Sequence, residues 1–322
     1  MRTRFLIRRF THAALLLLAI SLLSFALAQL APGDFFDQMR MNPRVSAQTV
    51  EGLRFEYGLD RSFAVRYGLW LRSVVGGEFG ISLAYNSPVG PLLVPRARNT
   101  LLLTGASTVL AWLLAVPVGV WSATNRRKFS RQSSGLATST LLTIPDLLLF
   151  LCLLLFAVRS GWFPSGGMAS LGSRNPDLFH RMKDIAWHLF LPSLGLALAT
   201  LPILVRHVRS AMIEVLDSPF MRAARSHGIP HSRLLFRFAL PVAANPLISL
   251  FGFSVATMLS SSLLVEVIMS WPGLGPLLVE ATLNKDVYIV VGTVMLSALF
   301  LIAGNLVADV LLFTVDPRIR RE

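Results

Sequence analysis

The chain consists of long apolar stretches separated by shorter polar segments. Six stretches contain few or no charged residues: 10–30, 101–123, 136–158, 186–205, 246–268 and 287–313. Each has the length of about 20 residues that crosses a hydrocarbon core of about 30 Å. Because lipid offers the backbone no hydrogen-bond partner, each stretch is predicted to be helical. The pattern therefore predicts an all-α membrane protein with six transmembrane helices.

The first stretch has two interpretations. Its basic start, with Arg2, Arg4, Arg8 and Arg9, is also typical of a signal peptide. The apolar run is longer than the roughly 7–15 residues of a signal peptide, and no small-x-small cleavage site follows it cleanly. We expect a retained first helix.

The basic residues predict the orientation. They concentrate in residues 1–9, between the second and third stretches, in residues 206–241 and in the tail. Such short basic segments are typical of the cytoplasmic side. We therefore expect a multi-pass protein of the cytoplasmic (inner) membrane with both termini in the cytoplasm. Residues 31–100 and 159–185 then form two segments on the outer side.

Composition excludes two other classes of protein. Hydrophobic residues make up 54% of the chain and charged residues 15%, with a formal net charge of +13. A disordered chain is less apolar, and a nucleic-acid-binding protein sets its basic residues in a larger polar surface. The four predicted cytoplasmic segments contain 17 of the 30 Lys and Arg residues and four acidic ones, so they account for the whole excess of positive charge.

Catalytic motifs are absent from the sequence. It has no Gly-x4-Gly-Lys-Ser/Thr phosphate loop, no His-Glu-x-x-His pair and no Gly-x-Ser-x-Gly. The single cysteine, Cys152, excludes an intrachain disulfide and a metal site built from cysteines. We expect no catalytic residue, no cofactor and no metal in this chain.

A separate short helix is predicted inside the segment 206–241. Ser218 is a good N-cap and Pro219 suits the first helical position. Gly228 suits the position just after a helix, and Pro230 prevents continuation. These signals predict a helix over residues 219–227.

One face of this helix has an unusual composition, since it carries Phe220, Ala223, Ala224 and His227. A helix this short needs a surface to rest on. An aromatic side chain beside alanines fits a groove on a partner protein. An amphipathic helix on the membrane surface is the alternative, and spacing alone does not separate the two.

The same segment resembles the signature of ABC-transporter permease subunits, Glu-Ala-Ala-x3-Gly-x9-Ile-x-Leu-Pro. The matching residues are Ala223, Ala224, Gly228, Leu240 and Pro241, whereas Arg222 replaces the signature Glu and Phe238 replaces Ile. Other short motifs, in order along the chain, resemble the dipeptide/oligopeptide/nickel branch of that family. They are Leu30-Ala31-Pro32-Gly33-Asp34, Tyr57-Gly58-Leu59-Asp60-Arg61, Gly77-Glu78-Phe79-Gly80-Ile81-Ser82, Pro117-Val118-Gly119-Val120, Trp271-Pro272-Gly273-Leu274-Gly275 and Asp316-Pro317-Arg318-Ile319-Arg320.

The resemblance implies a type I ABC importer permease, with its transmembrane domain at about residues 80–310. The cargo would be di- or oligopeptides or related solutes such as nickel chelates. The partners would be a second, homologous permease subunit, two cytoplasmic ATPases or one fused pair that bind ATP-Mg, and an extracytoplasmic solute-binding protein, within a lipid bilayer and without nucleic acid. The ATPase-coupling residues would be Asp217, Phe220, Arg222, Ala223, Ala224, His227 and Gly228.

Polar residues inside the spans are candidates for a translocation path, because ionisable groups are costly in lipid. Asp146 lies mid-way along the third stretch. In the fifth stretch, Ser254, Thr257 and Ser261 share one helical face. Hydroxyls there either bond to neighbouring helices or line a wet path, and both interpretations stay open.

Two other functions are compatible with the apolar pattern. An ion-gradient-driven secondary transporter would need an ion-coupling acid and no ATPase. A membrane scaffold or receptor would use the long segment 206–241, but the ordered motifs do not favour it.

Overall fold

The computed structural model describes residues 3–30, 32–33, 35–40, 46–58, 60–125, 138–170 and 177–315. The motif at 30–34, the basic segment after residue 125, part of the outer loop 159–185 and the tail motif at 316–320 therefore fall partly or wholly outside the described residues. The chain divides into two compact units. The first contains Met1–Asn99 and Pro272–Phe300, and the second contains Thr100–Trp271 and Leu301–Glu322.

The described residues are almost entirely helical. The helices before the third predicted span are α1 (Thr3–Leu30), α2 (Phe35–Arg40), α3 (Ala47–Glu56), α4 (Phe63–Val75) and α5 (Val89–Thr124). Residues 138–143 are helical (α6). They are followed by α7 (Asp146–Ser160), α8 (Leu178–Leu216), α9 (Pro219–Ser226), α10 (His231–Arg233), a π-helix (Leu234–Ala239), α11 (Leu240–Ile268), α12 (Leu274–Leu283) and α13 (Val287–Val315). A two-stranded antiparallel hairpin, β1 (Ile81–Ser82) and β2 (Ser87–Pro88), precedes α5.

Five helices in the described part of the chain are long and apolar enough to cross a membrane. The candidate spans lie within Ile7–Asp37 (α1), Val89–Thr124 (α5), Leu178–Leu216 (α8), His231–Ile268 (α10, the π-helix and α11) and Val287–Thr314 (α13). Each contains one of the predicted spans, and most extend well beyond it. The long helices thus continue past the apolar stretch that hydropathy marks, because backbone hydrogen bonding continues into polar flanks such as residues 206–216.

The third predicted span, 136–158, differs from the prediction. The helix stops after Thr143, and α7 begins only at Asp146. Pro145 has φ −58° and ψ 137°, the extended conformation that its ring favours, and it has no N–H to continue the earlier helix. The expectation of one uninterrupted helix is therefore wrong at this point. Asp146 lies in the first turn of a helix and not mid-way along one.

In the first unit, a buried carboxylate connects the hairpin to the start of α13. Asp286 is fully buried. Its Oδ2 accepts hydrogen bonds from Ser82 Oγ at 2.6 Å and Ala84 N at 3.1 Å, and its Oδ1 accepts one from Ile289 N at 3.3 Å. Beside this hairpin, burial and then a hydrogen bond with Glu280 raise the pKa of Tyr85 to about 12. The described residues of the predicted outer segment 31–100 thus form short helices and a hairpin that Asp286 holds in place.

In the second unit, α11 and α13 pack closely through small residues. A Cβ on Gly252 would lie 2.9 Å from the Cβ of Ala308, and one on Gly304 would lie 2.6 Å from a methyl carbon of Val255. Small residues allow helix backbones to approach closely where lipid supplies no hydrophobic driving force. A larger side chain at either glycine would force these two helices apart.

Candidate functional site

The predicted short helix exists as α9 and ends one residue earlier than expected. Ser218 has the extended N-cap conformation, and its Oγ accepts a hydrogen bond from Met221 N at 3.3 Å. Pro219 occupies the first turn, where a missing N–H costs nothing. His227 is the C-cap, and Gly228 follows with φ +72°, a conformation that side chains with a Cβ disfavour. The local signals of the sequence therefore form this helix as predicted.

One side chain that the sequence analysis missed holds α9 against the protein. Met221 is fully buried and belongs to a cluster that we call the Met221 cluster. Its buried members are Val208, Ala211, Met212, Leu216, Met221, Leu234, Leu235, Ala239, Ala243 and Leu247. The helix α9 thus rests on the end of α8, the π-helix and the start of α11. The spacing of apolar residues gives a weak signal for Met221. On the helix it lies between the arginines and the face that carries Phe220, Ala223, Ala224 and His227.

The face singled out from the sequence mostly points away from this cluster. Phe220 is 53% exposed, and Ala223 and His227 are also exposed. Ala224 is the exception, because it is half-buried and packs on the Met221 cluster. The ring of Phe220 lies 6.2 Å from that of Phe238 between centroids. An aromatic surface therefore extends from α9 onto the π-helix.

Hydrogen bonds and charges order the rest of the segment. Arg225 Nη2 donates to Leu216 O at 3.2 Å, which fastens the end of α9 to the end of α8. His227 Nδ1 lies 2.8 Å from Ala223 O. Arg222 and Asp217 are exposed. Asp217 is the C-cap of α8, and together with Arg225 it lines a cavity of about 450 Å³ beside α9. The segment offers an exposed surface with a net positive charge on a fixed backbone.

Leu240 and Pro241, which match the end of the permease signature, lie where a π-helix changes into the α-helix α11. Pro241 lies in the first turn of α11, directly after the π-helix Leu234–Ala239. A proline inside a continuous helix lacks one N–H donor and crowds the preceding turn. The wider π-helical turn accommodates this disturbance, and it also turns Leu234, Leu235 and Ala239 into the Met221 cluster.

The four candidate path residues are brought together only in part. Ser261 Oγ donates to Asp146 Oδ2 at 3.2 Å, which connects α11 to the first turn of α7. Ser254 is buried and accepts a hydrogen bond from Trp112 Nε1 at 3.1 Å. Thr257 is half-buried and donates to Phe253 O of its own helix. Two of the three hydroxyls therefore bond to a neighbouring helix, as one of the two sequence interpretations expected.

The long apolar helices, together with the short capped helix between two of them, define a multi-pass α-helical membrane protein. Comparison with known families makes the assignment specific. Residues 115–321 match the family described as binding-protein-dependent transport system inner membrane component, and residues 2–92 match the N-terminal region described for the same membrane components. The chain belongs to this family, so it is a permease component and not an enzyme.

Relatives of known name match almost the whole chain. The oligopeptide transport system permease protein AppB of Bacillus subtilis is 37% identical, with 98% of both chains covered. The dipeptide transport system permease protein DppB of Escherichia coli K12 is 32% identical, and OppB of Mycobacterium tuberculosis H37Rv is 31% identical, each with 99% of both chains covered.

A solved structure supports the fold. An inward-facing conformation of the MetNI methionine ABC transporter matches with a TM-score of 0.58 and 19% identity, over 70% of this chain and 96% of the other. A second crystal form of the same transporter has a TM-score of 0.52. This likeness concerns the fold alone.

Proposed function

We propose that this chain is the permease subunit of an ATP-driven importer that moves di- and oligopeptides across the cytoplasmic membrane. The observation that carries the proposal is the full-length similarity to AppB, DppB and OppB, whose names specify oligopeptide or dipeptide transport. Nickel chelates are the related cargo that a test must distinguish from peptides.

The short helix α9 would be the contact with the ATPase subunits. Its exposed residues Phe220, Ala223 and His227 form a surface that no other described residue covers. Behind them, Met221 and the hydrogen bond from Arg225 to Leu216 keep the helix from moving independently of α8. A push on α9 by the ATPase would therefore be transmitted to α8 and α11. Four further residues would support this contact. Asp217 and Arg222 are exposed beside it, Ala224 packs on the Met221 cluster, and Gly228 allows the turn that ends the helix.

The complete transporter would contain a second, homologous permease subunit, two ATPases or one fused pair, and an extracytoplasmic solute-binding protein. Six spans with both termini in the cytoplasm would place α9 on the ATPase side of the membrane. In that arrangement α6 and α7 together form the third span, broken at Pro145. ATP-Mg would bind to the partner subunits.

The path for cargo would run beside α7 and α11. Asp146, Ser261 and Thr257 are each half-buried, so a wet path could reach them, whereas Ser254 is buried against Trp112. A path for peptides of varied sequence favours hydroxyl and backbone contacts over fixed ion pairs. The bond between Ser261 and Asp146 would hold the Asp146 carboxylate in place.

Reconstitution tests the function. The chain with its permease, ATPase and binding-protein partners should import a labelled dipeptide into proteoliposomes only with ATP, and a nickel chelate should not compete. Import by this chain driven by a proton or sodium gradient, without any ATPase, would instead identify a secondary transporter. Import of nickel chelate alone would retain the ATP-driven mechanism and reject the peptide cargo.

A further inference from the structure

The first unit contains a cleft with charges of both signs, and none of the residues that line it belongs to α9 or to the proposed path. Its volume is about 630 Å³, within the roughly 300–1,000 Å³ of small-molecule sites. It lies between the end of α3, one side of α4 and the glycine-containing turn that leads into β1. Two arginines and two glutamates line it: Glu56, Arg61, Arg66 and Glu78.

These four charges do not neutralise one another. In the part of the chain that the structure describes, none of the four forms an ion pair. The positive groups belong to the start of α4 and the turn before it, and the negative groups to the end of α3 and the turn after α4. The cleft therefore presents separated positive and negative groups, which complement a ligand with both charges.

Arg66 is the most constrained of these groups. It is half-buried, and its guanidinium carbon lies 5.9 Å from the ring centre of Phe25. Its Nε is buried and has no hydrogen-bond partner among the described residues. A buried donor without a partner is uncommon and asks for an explanation. The Nε itself is closed to solvent, but Arg66 lines the cleft. A carboxylate can bind an arginine through two parallel hydrogen bonds, and a ligand carboxylate would approach the guanidinium from the cleft.

Aromatic groups complete the cleft. Trp70 is buried and is fixed by a hydrogen bond from its Nε1 to Phe79 O at 3.1 Å. Tyr57 and Tyr288 also line the space, and Tyr57 is held by its hydroxyl, which donates to Asn86 Oδ1 at 3.2 Å. Rigid apolar walls with a few charged groups are typical of a site for a small organic molecule.

We infer that this cleft binds a small zwitterion, a molecule with a carboxylate for Arg61 and Arg66 and an ammonium group for Glu56 and Glu78. A dipeptide is the ligand of this class that the proposed function suggests, and the choice of ligand rests on that function. The site is on the predicted outer segment and lies apart from Asp146 and the hydroxyl-bearing helix α11 along the chain.

The test measures binding of a radiolabelled dipeptide to the full permease–ATPase complex in nanodiscs, without the binding protein. Saturable binding should weaken at least about tenfold in Arg66→Gln and in Glu78→Gln, because each loses one charged partner. Arg61→Gln, at an exposed position, gives the same test with less risk to folding. Arg72→Gln on α4 and Glu51→Gln on α3 are matched controls outside the cleft and should bind as the wild type does.

Modified probes test the two charges separately. An N-acetylated dipeptide and a dipeptide amide should each bind at least about tenfold more weakly than the zwitterion. Equal affinity for all three probes, or unchanged affinity in all three cleft variants, overturns the inference. So does a loss of binding-protein docking in the cleft variants without any change in dipeptide affinity, which would identify a protein contact.

Failure of the zwitterion site and failure of the proposed peptide importer give different experimental results. ATP-driven import by the wild-type complex without saturable dipeptide binding at the cleft overturns this inference alone. Saturable binding that depends on Arg66 and Glu78, without ATP-driven import, overturns the proposed peptide importer alone.

Discussion

The short helix α9 and the long helix α11 use their distinctive side chains in opposite ways. On α9, the aromatic and alanine face stays largely exposed, and a different residue, Met221, provides the attachment. On α11, two hydroxyls already bond to neighbouring helices, Ser254 to Trp112 and Ser261 to Asp146. An exposed face on a fixed helix is available to a partner. Hydroxyls that already bond to a neighbouring helix stabilise helix packing, and they are less available to a cargo molecule. The comparison therefore favours α9 as an interface more strongly than it favours α11 as a path.

The largest effect is expected at the attachment of α9. Met221→Ala should destabilise the docked helix by about 2–5 kcal/mol, because it removes a fully buried side chain from a packed cluster. Hydrogen exchange of the amides in residues 219–227 should accelerate accordingly. Met182→Ala, at a side chain that is 63% exposed, is the control and should leave exchange unchanged. Equal exchange in both variants would mean that α9 is held by something other than this cluster.

The exposed face of α9 should affect assembly and leave the fold intact. Ala223→Trp should weaken co-purification with the ATPase about 30-fold or more, the effect of about 2 kcal/mol at the centre of an interface. Ala64→Trp places the same bulk on an exposed position of α4 and should leave the complex intact. Ala224→Trp is a poorer test, because Ala224 packs on the Met221 cluster. Full assembly and transport with Ala223→Trp would reject α9 as the docking helix.

The end of α9 should tolerate no β-branched residue. Gly228→Val should cost about 1 kcal/mol or more, because Gly228 has φ +72° and valine disfavours positive φ. The measurement is again hydrogen exchange over residues 219–227. Gly68→Val, inside α4 with no neighbouring atom within 4 Å of a new Cβ, is the matched control for added bulk. A similar small effect at both glycines would show that the turn after α9 can be rearranged.

The smallest effect is expected on α11. Ser254→Ala removes the acceptor for Trp112 Nε1 and should lower stability by about 0.6–1 kcal/mol. Ser260→Ala should change stability less, since Ser260 is exposed and donates only to Ala256 O of its own helix. Thermal unfolding of the purified complex compares the two variants. If both leave stability unchanged but slow peptide import, the hydroxyl face serves the path, and the contrast between α9 and α11 disappears.

The features that the sequence predicts correctly depend on residues close together in the chain. The N-cap Ser218, Pro219 and Gly228 act through backbone geometry within a few residues, so the position of α9 was predicted to within one residue. The apolar stretches likewise mark where long helices lie, because burying them in lipid depends on local composition. The break at Pro145 does not follow from a proline in an apolar stretch alone. Other predicted spans contain a proline inside an unbroken helix: Pro117 in α5, Pro192 and Pro202 in α8 and Pro246 in α11.

The remaining features required packing information. Spacing within α9 leaves both Phe220 and Met221 as apolar candidates for the attachment, and only packing shows that Met221 is the buried one. Which hydroxyl of α11 bonds to which neighbour depends on residues more than 100 positions away in the chain, such as Trp112 and Asp146. Such contacts are fixed only when the helices pack.

The sequence by itself determined the long apolar helices, the family motifs and the limits of α9, because hydropathy, proline, glycine and capping residues act over short distances. The tertiary structure decided which face of α9 is buried, which hydroxyls of α11 are already bonded, and that two arginines and two glutamates line one cleft. Burial and pairing depend on neighbours that are distant in the chain, so they exist only after those neighbours have come together.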